Sequence, residues 1–80
     1  MIAYVKLELT DVDSFCGNIN HFKSNVVAIE DDRKVYIKSL ISLLTLDLSK
    51  ELCIEIDSDN EYELRLFKEI IGRYGGRVID

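Results

Sequence analysis

The stretch KVYIKSLISLLTL, residues 34–46, contains two different apolar patterns in succession. Its first part alternates, with Val35 and Ile37 on one side, which indicates a β-strand with one face toward a core. From Ser39 to Leu46 the apolar residues follow at helical spacing and indicate a short helix. Because Ser39 lies where the strand ends, its hydroxyl can accept a hydrogen bond from a backbone amide of the first helical turn. The stretch therefore predicts a strand followed directly by a serine-capped helix.

Strand and helix patterns also alternate on both sides of this stretch. Strands are predicted at residues 2–9, 25–29, 34–37 and 52–57, and helices at residues 11–22, 39–46 and 58–74. A polar hairpin joins the second and third strands. We therefore predict one α+β domain over the whole chain, a two-layer open-faced sandwich. In it, three helices cover one face of a four-stranded antiparallel sheet, in the order βαββαβα.

The third helix carries the clearest local signals for its two ends. Ser58 and Glu61 have the spacing of a capping box. Gly75 and Gly76 end the helix, because glycine adopts left-handed geometry without the penalty of a Cβ. The tail at residues 77–80 has two alternatives, a loose segment or an additional strand.

Length and charge exclude several classes of protein. A chain of 80 residues has room for one core. Its formal net charge of -5 argues against sequence-independent nucleic-acid binding, which needs a basic surface. No apolar stretch is long enough for a membrane span, and the first residues lack the pattern of a signal peptide. We therefore expect a cytoplasmic protein with no nucleic-acid or membrane partner.

The reactive side chains do not form a recognisable catalytic or metal site. Cys16 and Cys53 are far apart, belong to no CxxC pair, and are expected to be small buried residues in a reducing compartment. His21, the only histidine, is not at metal-ligand spacing from either cysteine, and near a helix end its cation would interact well with the last carbonyls. No phosphate loop, dinucleotide motif, zinc-protease motif or nucleophile elbow is present. The sequence predicts no enzyme, cofactor or metal site.

Residues 21–56, HFKSNVVAIEDDRKVYIKSLISLLTLDLSKELCIEI, resemble the central part of the histidine-containing phosphocarrier protein (HPr) family of the bacterial sugar phosphotransferase system. The family shows an aromatic residue ending the first helix, two strands joined by a turn, a Lys-Ser-Ile/Leu opening of the second helix, and an alternating strand. The match covers about half of the chain in register, and the KSLxxLLxL run is its most specific part. The matched positions are Phe22, Lys38, Ser39, Leu40, Leu43, Leu44, Thr45, Leu46, Lys50, Leu52, Ile54 and Ile56.

The resemblance stops where the family carries its phosphoryl group. Family members have a histidine at the start of the first helix, in a Gly-Leu/Ile-His-Ala-Arg-Pro setting. This chain has LTDVDSF at residues 9–15, in which Asp11 and Asp13 would repel a phosphoryl group. His21 is at the other end of the predicted helix and cannot take over the role. The resemblance therefore implies a regulatory or protein-binding module without phosphohistidine relay.

The resemblance also implies a second chemical site at Ser39, the position of the family's regulatory serine. An HPr kinase would phosphorylate it, and the helix N-terminus together with Lys38 would favour the added charge. Arg33 and Lys34, on the preceding turn and strand, would add to this effect. Helix capping alone also explains a serine at this place, and the two interpretations are compatible.

The helix after Ser39 has more apolar residues than one buried stripe needs. Because a short helix in a two-layer sandwich hides only about half of its circumference, we expect part of Leu40, Ile41 and Leu44 to be exposed. Contiguous exposed apolar surface usually marks a contact site. In the resembled family this patch docks partner proteins, so the implied partners are sugar phosphotransferase or catabolite-regulation proteins that contact these three side chains and Lys38.

Other interpretations of this patch stay open. The C-terminal tail, or a second copy of the chain in a homodimer through the second helix, would also cover it. The alternative to an HPr-like protein is an unrelated small α+β protein-interaction domain with no phosphotransfer role. The fold topology would separate this unrelated domain from an HPr-like protein.

Overall fold

Strands and helices alternate along the chain in the computed structural model, which describes residues 1–79. The α+β class is confirmed, with an open antiparallel sheet and three α-helices. In chain order the elements are β1 (Ile2–Val5), a 3-10 turn (Leu9–Asp11), α1 (Val12–Ile19), β2 (Asn25–Glu30), β3 (Arg33–Tyr36), α2 (Leu40–Leu44), β4 (Leu52–Asp57), α3 (Glu61–Arg73) and β5 (Arg77–Val78).

The sheet has five strands in the order β3-β2-β4-β1-β5, so the prediction of four strands was wrong. The fifth strand is part of the C-terminal tail, in which Arg77 pairs with Tyr4 and Val78 pairs with Ala3. Of the two alternatives for the tail, the strand is therefore correct, while Asp80 lies outside the described residues. Since β5 is at the opposite edge of the sheet from β3, residues 77–79 do not cover α2, which packs against β3 and α1.

One core lies between the sheet and the helices. In β4, Leu52, Ile54 and Ile56 are buried on the helix side, whereas Cys53 and Glu55 are half-buried on the other face. All three helices contribute to this same core, so they cover one face of the sheet and leave the other face open. The buried helix residues are Val12, Phe15, Cys16, Ile19, Leu43, Phe67, Ile70 and Ile71.

Two sequence expectations near the open face and the first strand need correction. Both cysteines are free thiols, but only Cys16 is buried, since Cys53 is half-buried on the open face. The first strand ends at Val5 rather than Leu9, and Leu9 is exposed. The alternating pattern is misleading here because Asp11 N donates to the Glu8 carbonyl over 2.9 Å, which bends the chain into the 3-10 turn.

Helix α3 begins two residues later than a cap at Ser58 would place it. Asn60 is the N-cap, and its side chain accepts a hydrogen bond from Glu63 N at 3.1 Å. At the other end, Gly75 adopts a φ of 75°, and Gly76 N donates to the Ile71 carbonyl at 2.9 Å, as in a Schellman motif. Only Gly75 therefore supplies the predicted left-handed geometry.

Gly76 has a different role from the one predicted. A Cβ at this position would lie 2.5 Å from the Tyr4 carbonyl oxygen and 2.9 Å from the Val5 Cβ. The absence of a side chain thus lets the chain approach β1 closely enough for β5 to pair with it.

Candidate functional site

Ser39 is the N-cap of α2, as predicted. Its backbone is extended, with φ of -88° and ψ of 119°, and its Oγ accepts a hydrogen bond from Ser42 N at 3.3 Å. The hydroxyl is on an exposed residue, so capping does not remove it from solvent. The helix itself is shorter than residues 39–46, because it ends at Leu44.

Lys38 is held by α1 and the segment that follows it. Its Nζ donates to the Phe22 carbonyl at 2.5 Å, and its own carbonyl accepts from Asn20 Nδ2 at 2.9 Å and from Cys16 Sγ at 3.4 Å. These contacts fix the turn that precedes Ser39. They also leave Lys38 only half-exposed.

The other two cations expected near Ser39 also have partners of their own. Arg33 forms an ion pair with Glu30 at 3.1 Å, and Lys34 forms one with Glu55 at 3.4 Å on the open face of the sheet. A phosphate on Ser39 would therefore share these charges with the carboxylates that already pair with them. The groups left to stabilise the phosphate charge are the backbone amides at the start of α2 and the surrounding solvent.

The exposed apolar side chains of α2 match the expectation from sequence. Leu43 is fully buried, whereas Leu40, Ile41 and Leu44 are 38%, 79% and 48% exposed. We call these three side chains the α2 surface. Helix α2 carries no charged residue, so contacts made by the α2 surface would rest on apolar burial.

The start of α1, which holds the phosphoryl group in the resembled family, is acidic in this chain. Asp11 accepts a hydrogen bond from Glu8 N at 3.2 Å through its side chain, and Asp13 lies in the first turn of α1. His21 is exposed beyond the other end of the helix, where its backbone N donates to the Asn18 carbonyl at 3.2 Å. The structure thus keeps this histidine apart from the start of α1.

A second polar cluster, which we did not predict, lies in a groove between the segment after α1 and the start of α3. The groove has a volume of about 430 Å³, and Phe22, Leu66 and the exposed Tyr62 contribute apolar surface to it. Its polar centre is Glu63. The spacing of Asn60 and Glu63, typical of an N-cap and the third residue of a helix, was a signal that could have identified this carboxylate.

Glu63 joins three parts of the chain through hydrogen bonds to its carboxylate. Ser24 Oγ donates to it at 2.5 Å, Ser58 Oγ at 2.9 Å and Lys23 N at 2.8 Å. These donors, the Ser24 hydroxyl foremost, lower the pKa of Glu63 from 4.5 to about 2. The carboxylate is therefore a structural link between residues 23–24 and α3, with its acceptor capacity already used.

Nowhere in residues 1–79 do three or more His, Cys, Asp or Glu side chains converge so as to hold a metal ion. None of the helices in these residues combines the length and apolar content that crossing a membrane requires. No family model, curated protein or solved structure matches this chain.

Proposed function

We propose that this chain is a protein-binding module whose contact surface is the α2 surface. The observation that carries the proposal is the exposure of Ile41, at 79%, on a helix whose Leu43 is fully buried. A short helix that exposes three large apolar side chains gains by burying them against another protein.

We further propose that the module is an HPr-like protein without phosphohistidine relay. Two features support the proposal: the KSLxxLLxL run at residues 38–46, and the element order βαββαβα that precedes the fifth strand. The partners to test first are therefore proteins of the sugar phosphotransferase system or of catabolite regulation. The acidic start of α1, with Asp11 and Asp13, supports a role that does not include phosphoryl transfer.

Binding by the α2 surface has a predictable energetic character. Fully burying an isoleucine side chain contributes about 1.5–3 kcal/mol, which corresponds to roughly a tenfold to hundredfold change in affinity. Because α2 has no charged residue, raising the salt concentration should change the affinity little. Ile41→Asp removes the apolar contact and also places an unpaired charge in the interface.

The experiment is a calorimetric titration of the purified chain with enzyme I, with HPr kinase and with a catabolite regulator of the same system. We expect at least one of these proteins to bind, and Ile41→Asp to weaken that binding at least tenfold. Tyr62→Asp is the matched control, since Tyr62 is 71% exposed but lies on α3. Equal loss of binding in both variants, or unchanged binding by Ile41→Asp, would contradict the proposal for the α2 surface.

Ser39 is the proposed regulatory position of this module. A phosphate there would place charge beside Leu40, near the Lys38 ammonium, which already donates one of its three N–H groups to the Phe22 carbonyl. Incubation with HPr kinase and ATP should add one phosphate by intact mass, and Ser39→Ala should abolish the addition. An unmodified wild-type chain would leave Ser39 with the capping role alone.

The alternative is a protein-interaction domain unrelated to the phosphotransferase system. The absence of any family match leaves this alternative in place. It uses the same α2 surface but predicts no binding to the three proteins named above. In that case Ile41→Asp would still alter binding to whatever partner the module has.

A further inference from the structure

The free edge of the sheet at β3 has a defined set of unused backbone groups. Ile37 N donates to the Val26 carbonyl at 3.4 Å, which identifies this pair as a hydrogen-bonded one. Since hydrogen-bonded pairs alternate with non-hydrogen-bonded ones along antiparallel strands, the backbone N–H and C=O of Val35 also point toward β2. Lys34 and Tyr36 consequently turn their N–H and C=O groups away from β2. Within residues 1–79 these groups bond to no other residue.

The charges on β3 do not protect this edge in the usual way. An exposed lysine commonly keeps an edge strand from pairing with another chain. Here the Lys34 ammonium lies 3.4 Å from Glu55, over the open face, and Arg33 is paired with Glu30. Both cations thus have a carboxylate partner within the same copy, while Tyr36 is 62% exposed.

We propose that β3 pairs with β3 of a second copy, antiparallel, about a two-fold axis at Val35. This register follows from the backbone groups that point away from β2. A hydrogen-bonded pair across the two copies must join two residues whose N–H and C=O groups both point outward. It sets Lys34 opposite Tyr36 of the second copy, and Tyr36 opposite Lys34 of the second copy. Each copy then donates two backbone hydrogen bonds to the other, and the two sheets become one.

The side chains are compatible with this register. Lys34 and Tyr36 lie on the open face, so the lysine stem of one copy packs beside the tyrosine ring of the other. Val35 is half-buried on the helix side, where it meets Val35 of the second copy at a non-hydrogen-bonded position. Such positions bring the two Cα atoms to about 4.5 Å.

The dimer is expected to be weak and reversible. Pairing two strands of four residues buries much less than the roughly 800 Å² per partner of a stable interface. We therefore expect a dissociation constant on the order of a millimolar. The pairing does not depend on the function of the α2 surface, but it places both α2 helices on the same side of the joined sheet, since α2 packs against β3.

Disulfide trapping tests the register directly. The Cα atoms of two cysteines replacing Val35 in the two copies would be about 4.5 Å apart, which is within the Cα–Cα range of a disulfide. Val35→Cys should therefore form covalent dimers under mild oxidation. Tyr36→Cys alone should not, because its equivalent is displaced along the strand, but a mixture of Tyr36→Cys with Lys34→Cys should. These variants carry Cys53→Ala to remove the other accessible thiol. Trapping of Val35→Cys that is no faster than that of Tyr36→Cys would overturn the proposal.

Sedimentation of the chain without added cysteines provides the second measurement. At millimolar concentration the wild type should show a dimer fraction, and Tyr36→Pro should lower it at least fivefold. Proline removes the outward N–H of Tyr36 without removing a bond to β2. Tyr36→Phe is the control, and circular dichroism checks that each variant folds. A monomeric wild type, or a dimer lost with Ile41→Asp but kept with Tyr36→Pro, would refute pairing at β3.

Discussion

Glu63→Gln tests whether the carboxylate that links residues 23–24 to α3 stabilises the fold. The lowering of its pKa from 4.5 to about 2 corresponds to about 3 kcal/mol of preference for the ionised form in the folded state. Because the group lies near the surface, where water screens its contacts, we discount this to about 1–2 kcal/mol. Glutamine keeps the shape of the side chain but removes its charge and one acceptor.

The stabilisation by the Glu63 carboxylate depends on pH in a definite direction. The folded pKa is below the unfolded one, so the stabilisation is complete above pH 4.5 and is lost as the pH falls toward 2. We expect the unfolding free energy of Glu63→Gln to lie about 1–2 kcal/mol below that of the wild type at pH 7. Plotted against pH, the unfolding free energies of wild type and Glu63→Gln should converge as the pH falls from 4.5 to about 2.

The assay is urea denaturation at a series of pH values, with the difference between wild type and variant as the measured quantity. The difference is needed because hydrogen bonds also lower the pKa of Glu30, Asp47 and Glu51, which shapes both curves alike. Glu69→Gln serves as control, since Glu69 has only an exposed ion pair on the same helix. A gap between wild type and Glu63→Gln that stays constant from pH 7 to pH 2 would refute the reasoning.

Two backbone predictions concern positions where a glycine is required or missing. Gly76→Ala should destabilise the protein by about 1–3 kcal/mol in thermal or urea unfolding, because its Cβ would meet the Tyr4 carbonyl, and β5 should lose amide protection in hydrogen exchange. Gly17→Ala is the matched control and should instead stabilise α1 by up to about 1 kcal/mol, since no atom lies within 4 Å of its added Cβ. Asp31→Gly should stabilise the hairpin by about 0.5–1 kcal/mol, because Asp31 has a φ of 54°; unchanged or lower stability would show that its side chain compensates for the strain.

Features that depend on near neighbours in the chain could be predicted from sequence. The helical spacing of Val12, Phe15 and Ile19 was enough to identify the buried stripe of α1. Ser39 was identified as a cap because capping needs only the first turn of the same helix. The partial exposure of Ile41 followed from the number of apolar residues on one short helix.

Other features were decided by contacts between residues far apart in sequence. The two-residue strand β5 has no periodicity to detect, and it exists because Gly76 allows the tail to reach β1. The Ser58 hydroxyl was expected to cap α3, but it accepts a hydrogen bond from Asn60 N before the helix begins and donates one to Glu63. The cations expected around Ser39 found partners on other elements, as Lys38 did at the Phe22 carbonyl. Sequence alone thus determined which segments form the helices and most of the strands, since local spacing sets these. Only the folded chain decided which polar groups meet, because each had several partners of suitable chemistry and packing selected among them.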